Sequence, residues 1–205
     1  DALLVLGDTN SALAAIMARR MKIPIYHMEA GNRSFDANVP EETNRRMVDH
    51  ISDFNLAYTE HARRHLLAEG LPHRRTYVTG SPMAEVLEAA RPGVDRSGVL
   101  EELGLEVHRY IVVSIHREEN VDRSARLRMV FEGLNRMAEA FGHPIVVSLH
   151  PRTRKRIEAL SEVPALHDLV RLSEPFGYFD YVRLQRDAFC TVSDSGTIAE
   201  ESSLL

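Results

Sequence analysis

What most limits the fold of this sequence is an alternation of strand-length apolar runs with longer segments of helical spacing. Runs at Ala2–Leu6, Ile23–His27, Phe54–Tyr58, Thr76–Val78, Tyr110–Ile115, Pro144–Leu149, Leu169–Leu172 and Ala188–Val192 are bounded by polar residues and too short for helices. They lack the period-2 alternation of a half-solvated strand, so they read as parallel strands covered on both faces by crossover helices. Helix starts follow: Thr9-Asn10-Ser11 before Ala12–Arg20, Pro40-Glu41-Glu42 before Thr43–Ile51, and Asp194-Ser195-Gly196 before Thr197–Leu204. This β-α-β-α order predicts an α/β protein with doubly wound parallel sheets. From Gly80 to His108 there is no strand-like run, charge is dense and Pro92-Gly93 is expected to break the segment. A boundary there divides the chain into residues 1–90 and 91–205.

Composition narrows the partners. The chain has 205 residues, 44% hydrophobic and 27% charged, enough for one or two cores. A formal net charge of −5 argues against a nucleic-acid groove or a polybasic membrane surface, although the run Arg152-Thr153-Arg154-Lys155-Arg156 remains a local phosphate-binding candidate. No apolar run approaches the ~20 residues of a membrane span, so no membrane partner is expected. The single cysteine, Cys190, lies in the apolar run AFCTVS. That rules out a disulfide framework and a cysteine zinc cage, suits a reducing cytoplasm, and places the thiol in the core. Asp1 leads straight into a strand and GTIAEESSLL ends inside a helical pattern, so an internal fragment is expected.

In open α/β sheets ligands lie beyond the carboxyl ends of the strands. Here those ends carry unusual charge: Gly7-Asp8-Thr9, His27-Met28-Glu29, His116-Arg117-Glu118-Glu119, His150-Pro151-Arg152 and Asp194-Ser195-Gly196. A strand followed by Ser195-Gly196-Thr197 at a helix start offers free backbone N–H groups to an anion such as a diphosphate. Glu200 or Glu201, one turn on, suits ribose hydroxyls; the bland reading is a serine cap with first-turn acids. Ser193 before Asp194-Ser195-Gly196 is not a GxSxG elbow. His27-Met28-Glu29 has the H-x-E look of a zinc deaminase but lacks the P-C-x-x-C pair, and HExxH is absent, so no metal is expected. Neither a complete GxGxxG loop nor a Walker A loop is present. His27 reads as a hydrogen-bonded strand-end histidine, and the bland reading of Arg45 and Arg46 is a pairing with Asp49 at helical spacing.

Taken together, GDTNSALAA, HMEAGNRSFDANVPEETNRRMVDHISD, TGSPM, SIHREENVD and SDSGTIAEES resemble the non-hydrolysing UDP-N-acetylglucosamine 2-epimerases. The likeness runs over essentially the whole chain in the right order. It implies a GT-B-like fold of two doubly wound, Rossmann-like domains. Because the family chain is longer, it also implies the second part of an N-terminal domain (1–90) and the first part of a C-terminal, UDP-binding domain (91–205). Position by position, the resemblance makes Asp8, Glu29, Glu41 and His116 catalytic and assigns UDP-sugar binding to Ser195, Gly196 and Glu201. Arg117 and His150 lie beside these as binding residues. It implies no cofactor and a homodimer of the full-length protein.

The chemistry accounts for the carboxylates. The C2 proton of a 2-acetamido sugar has no adjacent carbonyl, so a base alone cannot remove it. In the family, UDP is eliminated first, C2–H is lost, and a 2-acetamidoglucal held with UDP is rebuilt with inverted C2. Two carboxylates across the ring suit this exchange, and desolvation and mutual repulsion are expected to tune them. Of the paired acids at the helix start, Glu41 is the candidate and Glu42 scaffold. His150-Pro151-Arg152-Thr153 departs from the His-x-Asn-Pro of many members. With SIHREENVD it resembles the subgroup acting on modified UDP-sugars such as UDP-2,3-diacetamido uronic acids, whose carboxylate Arg152 and Arg154 would read bidentately. A GT-B glycosyltransferase or a nucleotide-sugar sensor would not need the paired glutamates.

Overall fold

The computed structural model describes residues 1–160 and 165–205 and, at Glu119 and Ala199, the backbone. All eight apolar runs form strands, in two four-stranded parallel sheets. The chain divides into Asp1–Pro82 and Met83–Leu205.

The first unit carries β1 (Leu3–Leu6), β2 (Ile25–Met28), β3 (Phe54–Ala57) and β4 (Thr76–Val78), side by side in sequence order. A 3-10 turn, Asn10–Leu13, leads into α1 (Ala14–Arg20); α2 (Pro40–Ile51) and α3 (Glu60–Ala68) make the other crossovers. Thr59 caps α3, its side chain accepting the Ala62 N–H at 3.1 Å. All three helices cover one face. Ala12, Ala15, Ala18 and Val48 meet Val5 and Ile25, and Ala62 and Leu66 meet Ala57. On the other face Leu4, Leu6 and Tyr77 are exposed, and Tyr26 stacks on Phe54 with ring centroids 4.9 Å apart. Cover on both faces, expected for every strand, is therefore not found here among the described residues. Sequential strand order sends each crossover the same way, and a constant hand keeps its helices on one side.

In the second unit β5 (Ile111–Ser114), β6 (Ile145–Ser148), β7 (Val170–Ser173) and β8 (Cys190–Ser193) are ordered β7-β6-β5-β8. The helices are α4 (Met83–Asp95), α5 (Val99–Leu103), α6 (Glu118–Val121), α7 (Ser124–Phe141), α8 (Pro151–Glu158), α9 (Tyr178–Arg186) and α10 (Ile198–Leu204). The chain winds outward from β5 to β7, then returns to set β8 on the far side of β5. Both faces are covered: Ile111 and Val113 lie under Leu127, Phe131 and Leu134 of α7, while Tyr110 and Val112 meet Leu100 and Leu184.

Two further expectations change. Pro92-Gly93 does not break the chain, because α4 runs through it; the lost N–H bond is offset by Ala90 and Val94 packing on Val182. Cys190 is exposed rather than core, since β8 lies at the edge of the described sheet.

Candidate functional site

In the first unit the candidates grow from the carboxyl ends of β1 and β2. Leu6 pairs with Met28, so Gly7-Asp8 and Glu29 leave the sheet side by side. Glu29 has φ 63°, a left-handed conformation that costs a non-glycine residue about 1–2 kcal/mol. Arg45, buried on α2, secures it. Its Nη1 donates to the Glu29 carbonyl and its Nη2 to Glu29 Oε1 at 3.1 Å. The same guanidinium grips Asp8 Oδ2 through Nε at 3.1 Å and Nη2 at 2.5 Å. Asn44 donates to the Asp8 carbonyl at 3.0 Å and Asn32 to Glu29 Oε1 at 3.2 Å. Gly31 completes the turn with φ +80°, and a Cβ there would stand 2.3 Å from the Ala62 carbonyl oxygen of α3. Only glycine fits.

Behind this turn lies a buried charge network. His27 is fully buried, with Nε2 2.9 Å from the Gly7 carbonyl and Nδ1 2.8 Å from Asp49 Oδ1. It is a hydrogen-bonded strand-end histidine. Asp49 also accepts the Gly31 N–H at 3.3 Å and Arg33 Nη1 at 2.7 Å. Arg33 forks onto Glu69 at 2.8 and 2.7 Å. Burial pulls the Arg33 pKa down, but Glu69 and Asp49 outweigh it and leave it raised; Arg33 in turn lowers the Glu69 carboxyl to about 2. Arg45 and Arg46 do not pair with Asp49. Arg45 holds Asp8 and Glu29, and Arg46 reaches Glu42 at 2.8 Å and Glu69 at 3.3 Å. The side chain of Asp49 already serves His27 and Arg33.

The two acids at the start of α2 part ways. Glu42 is buried and accepts Ser34 N at 2.8 Å, tying the preceding loop to the helix. Burial pushes its pKa up, yet Arg46 and Ser34 prevail and leave it lowered. Glu41 is exposed in the first turn.

The second unit gathers its candidates where β5 and β8 run side by side, the point at which the winding reverses. Asp194 accepts the backbone N–H of His116 at 3.1 Å and of Arg117 at 2.9 Å, and Asn120 Nδ2 at 2.9 Å. His116 Nδ1 lies 3.3 Å from Asp194 Oδ1. In the next turn Ser195 N donates to Ser193 Oγ at 3.0 Å, and a Cβ on Gly196 would stand 4.0 Å from Arg117 Nη2. A guanidinium thus flanks the turn read as a diphosphate cradle. Glu201 Oε2 accepts Gln185 Nε2 at 3.0 Å. The rings of His150 and His116 are 5.9 Å apart, but His150 also caps α8, its Nδ1 accepting Arg152 N at 3.2 Å. The side chain of Glu119 lies outside the described residues.

The arginines of the basic run are paired with acids from other segments. Arg152 binds Asp122 bidentately at 3.1 and 2.7 Å and Glu118 at 2.5 Å. Arg156 also reaches Asp122, and Arg154 pairs with Glu174. Each of these arginines meets one of the chain's own carboxylates, and Arg152 is held on Nε, Nη1 and Nη2.

The structure therefore brings Asp8 and Glu29 onto one guanidinium, and His116, Arg117, Ser195 and Gly196 around one aspartate. It leaves Glu41 exposed. Asp194 stands at a strand end already marked by its charge, but with no role of its own; Arg45 lies inside a helix, and its place in PEETNRR is its signal.

The profile of the family described as UDP-N-acetylglucosamine 2-epimerase matches residues 1–205. The chain belongs to that family. A solved UDP-N-acetylglucosamine 2-epimerase from Rickettsia bellii is 48% identical, with TM-score 0.89, over 100% of this chain and 54% of the other. The Methanocaldococcus jannaschii epimerase, solved with UDP-GlcNAc and UDP, is 34% identical, with TM-score 0.88, over 100% of this chain and 57% of that one. A UDP-2,3-diacetamido-2,3-dideoxy-D-glucuronate 2-epimerase from Pseudomonas aeruginosa is 35% identical over 97% of this chain and 54% of its own length. The chain thus spans little more than half of these epimerases and shares their GT-B-like α/β fold. Among the described residues no helix is long and apolar enough to cross a membrane.

Proposed function

We propose that the protein carrying this chain is a UDP-sugar 2-epimerase that inverts C2 of a 2-acetamido sugar by eliminating and re-adding UDP. The observation that carries the reading is the Asp8–Arg45–Glu29 cluster: two carboxylates from adjacent strand ends on one guanidinium, one of them in a strained turn. Strain of that kind persists where the surroundings over-determine it, commonly at working sites. Membership of the epimerase family supplies the reaction.

In this reading the C1–O bond breaks with its electron pair leaving on UDP, and the C2 proton passes to a carboxylate. The resulting glycal accepts a proton on the opposite face of C2 as UDP returns. Glu29 and Glu41 serve the two faces, and Asp8 holds a sugar hydroxyl or acts as a base. The Ser195-Gly196 turn, Arg117 and His116 receive the charge that gathers on the diphosphate, and Glu201 meets the ribose. The exposure of Glu41 fits a group that meets substrate, and the buried partners of Glu42 fit scaffold. We place the enzyme in the cytoplasm, where nucleotide sugars are made, as a homodimer.

The test uses the full-length gene product with candidate UDP-sugars in D₂O. Deuterium at C2 of recovered UDP-sugar, without any acceptor, is expected; its absence with every candidate would sink the reading. Glu29→Gln and Glu41→Gln should each lower exchange by about 10²- to 10⁴-fold while UDP still binds. The Pseudomonas relative favours a second substrate, a UDP-diacetamido uronic acid, so turnover of that sugar and of UDP-N-acetylglucosamine should be compared directly.

A further inference from the structure

We infer that Asp194 is a positioning residue that holds the His116 ring with Nδ1 as donor and Nε2 turned to the departing diphosphate. The inference rests on the epimerase reading for the identity of the ligand, but its geometry stands on contacts within the second unit.

The Asp194 carboxylate lies where the turn after β5 points its N–H groups. It accepts His116 N at 3.1 and 3.2 Å, Arg117 N at 2.9 Å and Asn120 Nδ2 at 2.9 Å. Amides at such a turn are where an anion binds from solution. Here an internal carboxylate already fills the place. Any contact from this turn to a diphosphate must therefore come from the side chains of His116 and Arg117.

The contact to the imidazole sets the ring. A carboxylate only accepts, so with Asp194 Oδ1 at 3.3 Å its charge favours the proton on His116 Nδ1. Nε2 is then the nitrogen left for substrate, an acceptor in the neutral ring and a donor in the charged one. Asp194 directly precedes Ser195, so the residue that pins the His116 turn also leads into the turn read as the diphosphate cradle. Arg117 N and Asn120 bond to Oδ2, whereas the ring faces Oδ1, which it shares with the His116 N–H; that amide also reaches Oδ2 at 3.2 Å.

In Asp194→Asn one oxygen, in the place of Oδ2, can still serve Arg117 N, Asn120 and, at 3.2 Å, the His116 N–H. The amide NH₂ then faces His116 Nδ1 and drives the ring to the Nε2–H form. In the full-length protein we expect kcat for C2 exchange to fall about 10²-fold or more, with the UDP dissociation constant moving less than about threefold. Nitrogen NMR of ¹⁵N-histidine-labelled protein, with His116→Asn to assign the resonance, should report Nδ1–H in the unmutated enzyme and Nε2–H in Asp194→Asn. Asn120→Ala should retain both tautomer and rate. A neutral His116 with Nε2–H in the unmutated enzyme overturns the inference without recourse to any variant. So does a parallel loss of rate and UDP binding in Asp194→Asn and Asn120→Ala, the mark of a structural staple. Absence of C2 exchange in the unmutated enzyme, with the tautomer switch intact, would fail the epimerase reading instead.

Discussion

The two units hold their candidate groups by opposite means. In the first, the Glu29 turn rests on buried charge and a buried imidazole: His27 and Asp49 are fully buried and hydrogen-bonded, Arg33 spans Asp49 and Glu69, and Arg45 spans Asp8 and Glu29. In the second, His116 and Arg117 extend from a turn whose backbone is pinned by one aspartate, and their side chains remain accessible. Buried ions tolerate no missing partner, whereas a pinned backbone leaves its side chains replaceable. Stability and activity should be coupled in the first unit and separable in the second.

The largest expected effect is on stability. Asp49→Ala leaves His27 and Arg33 buried without their shared acceptor and the Gly31 N–H unpaired, and should cost about 3–5 kcal/mol by denaturant unfolding. Asp122→Ala removes a partner of Arg152 and Arg156 in the second unit, but from a solvent-exposed cluster, and should cost only a small fraction of that. Equal costs would break the comparison.

Arg45→Met comes next. It leaves Asp8 and Glu29 facing each other without a cation and removes a support of the left-handed residue. A loss of about 2–3 kcal/mol is expected, with C2 exchange falling at least about 10²-fold. Arg117→Met, beside Gly196, should weaken UDP binding with stability changed by less than about 0.5 kcal/mol. Denaturation curves and UDP titrations of both variants make the check.

Much of this architecture is legible in the amino-acid sequence, and the exceptions have physical causes. Strand positions follow from run length, and strand ends in an α/β sheet point to the site; hence Asp8, Glu29, His116 and Ser195 are reachable. Cover of the sheets is not, because it depends on the order in which strands lie, which local pattern does not encode. For Arg45 helical spacing offers Asp49 as a partner, and the bland reading built on it does not hold. That spacing says nothing of His27 and Arg33, which claim Asp49 from elsewhere in the chain. The basic run around Arg152 reads as free for a similar reason: its carboxylates come from other segments, Glu118, Asp122 and Glu174.

A smaller effect distinguishes the units by acid. Glu69 is lowered from 4.5 to about 2, chiefly by its bond to Arg33, and Asp122 from 3.8 to about 2, chiefly by Arg152. In each case the unfolded chain binds the proton more readily. The stability conferred is therefore complete above about pH 4.5 and is lost as pH falls towards about 2. Salt should separate the two, because the exposed Asp122 cluster is screened and the Arg33 side chain is buried. Glu69→Gln should flatten the acid limb of the stability curve at both 0.1 and 1 M salt, the values at which screening lengths are about 10 and 3 Å. Asp122→Asn should flatten it only at the lower.

The smallest effect bears on the sheets themselves. Leu6 is 62% exposed on the uncovered face of the first sheet, while Val112 is fully buried within the second. Leu6→Thr should shift stability by less than about 0.5 kcal/mol, as surface changes do. Val112→Thr buries a hydroxyl between strand and helix and should cost about 1–3 kcal/mol. The open face also joins Leu4, Leu6 and Tyr77 to the stacked rings of Tyr26 and Phe54, an apolar surface of the kind that binds dye or a second molecule. Leu4→Thr with Leu6→Thr in the 205-residue chain should therefore lower dye binding and self-association in sedimentation, leaving the unfolding midpoint in place. Should Leu6→Thr instead cost as much as Val112→Thr, the face is covered in solution and the contrast between the sheets fails.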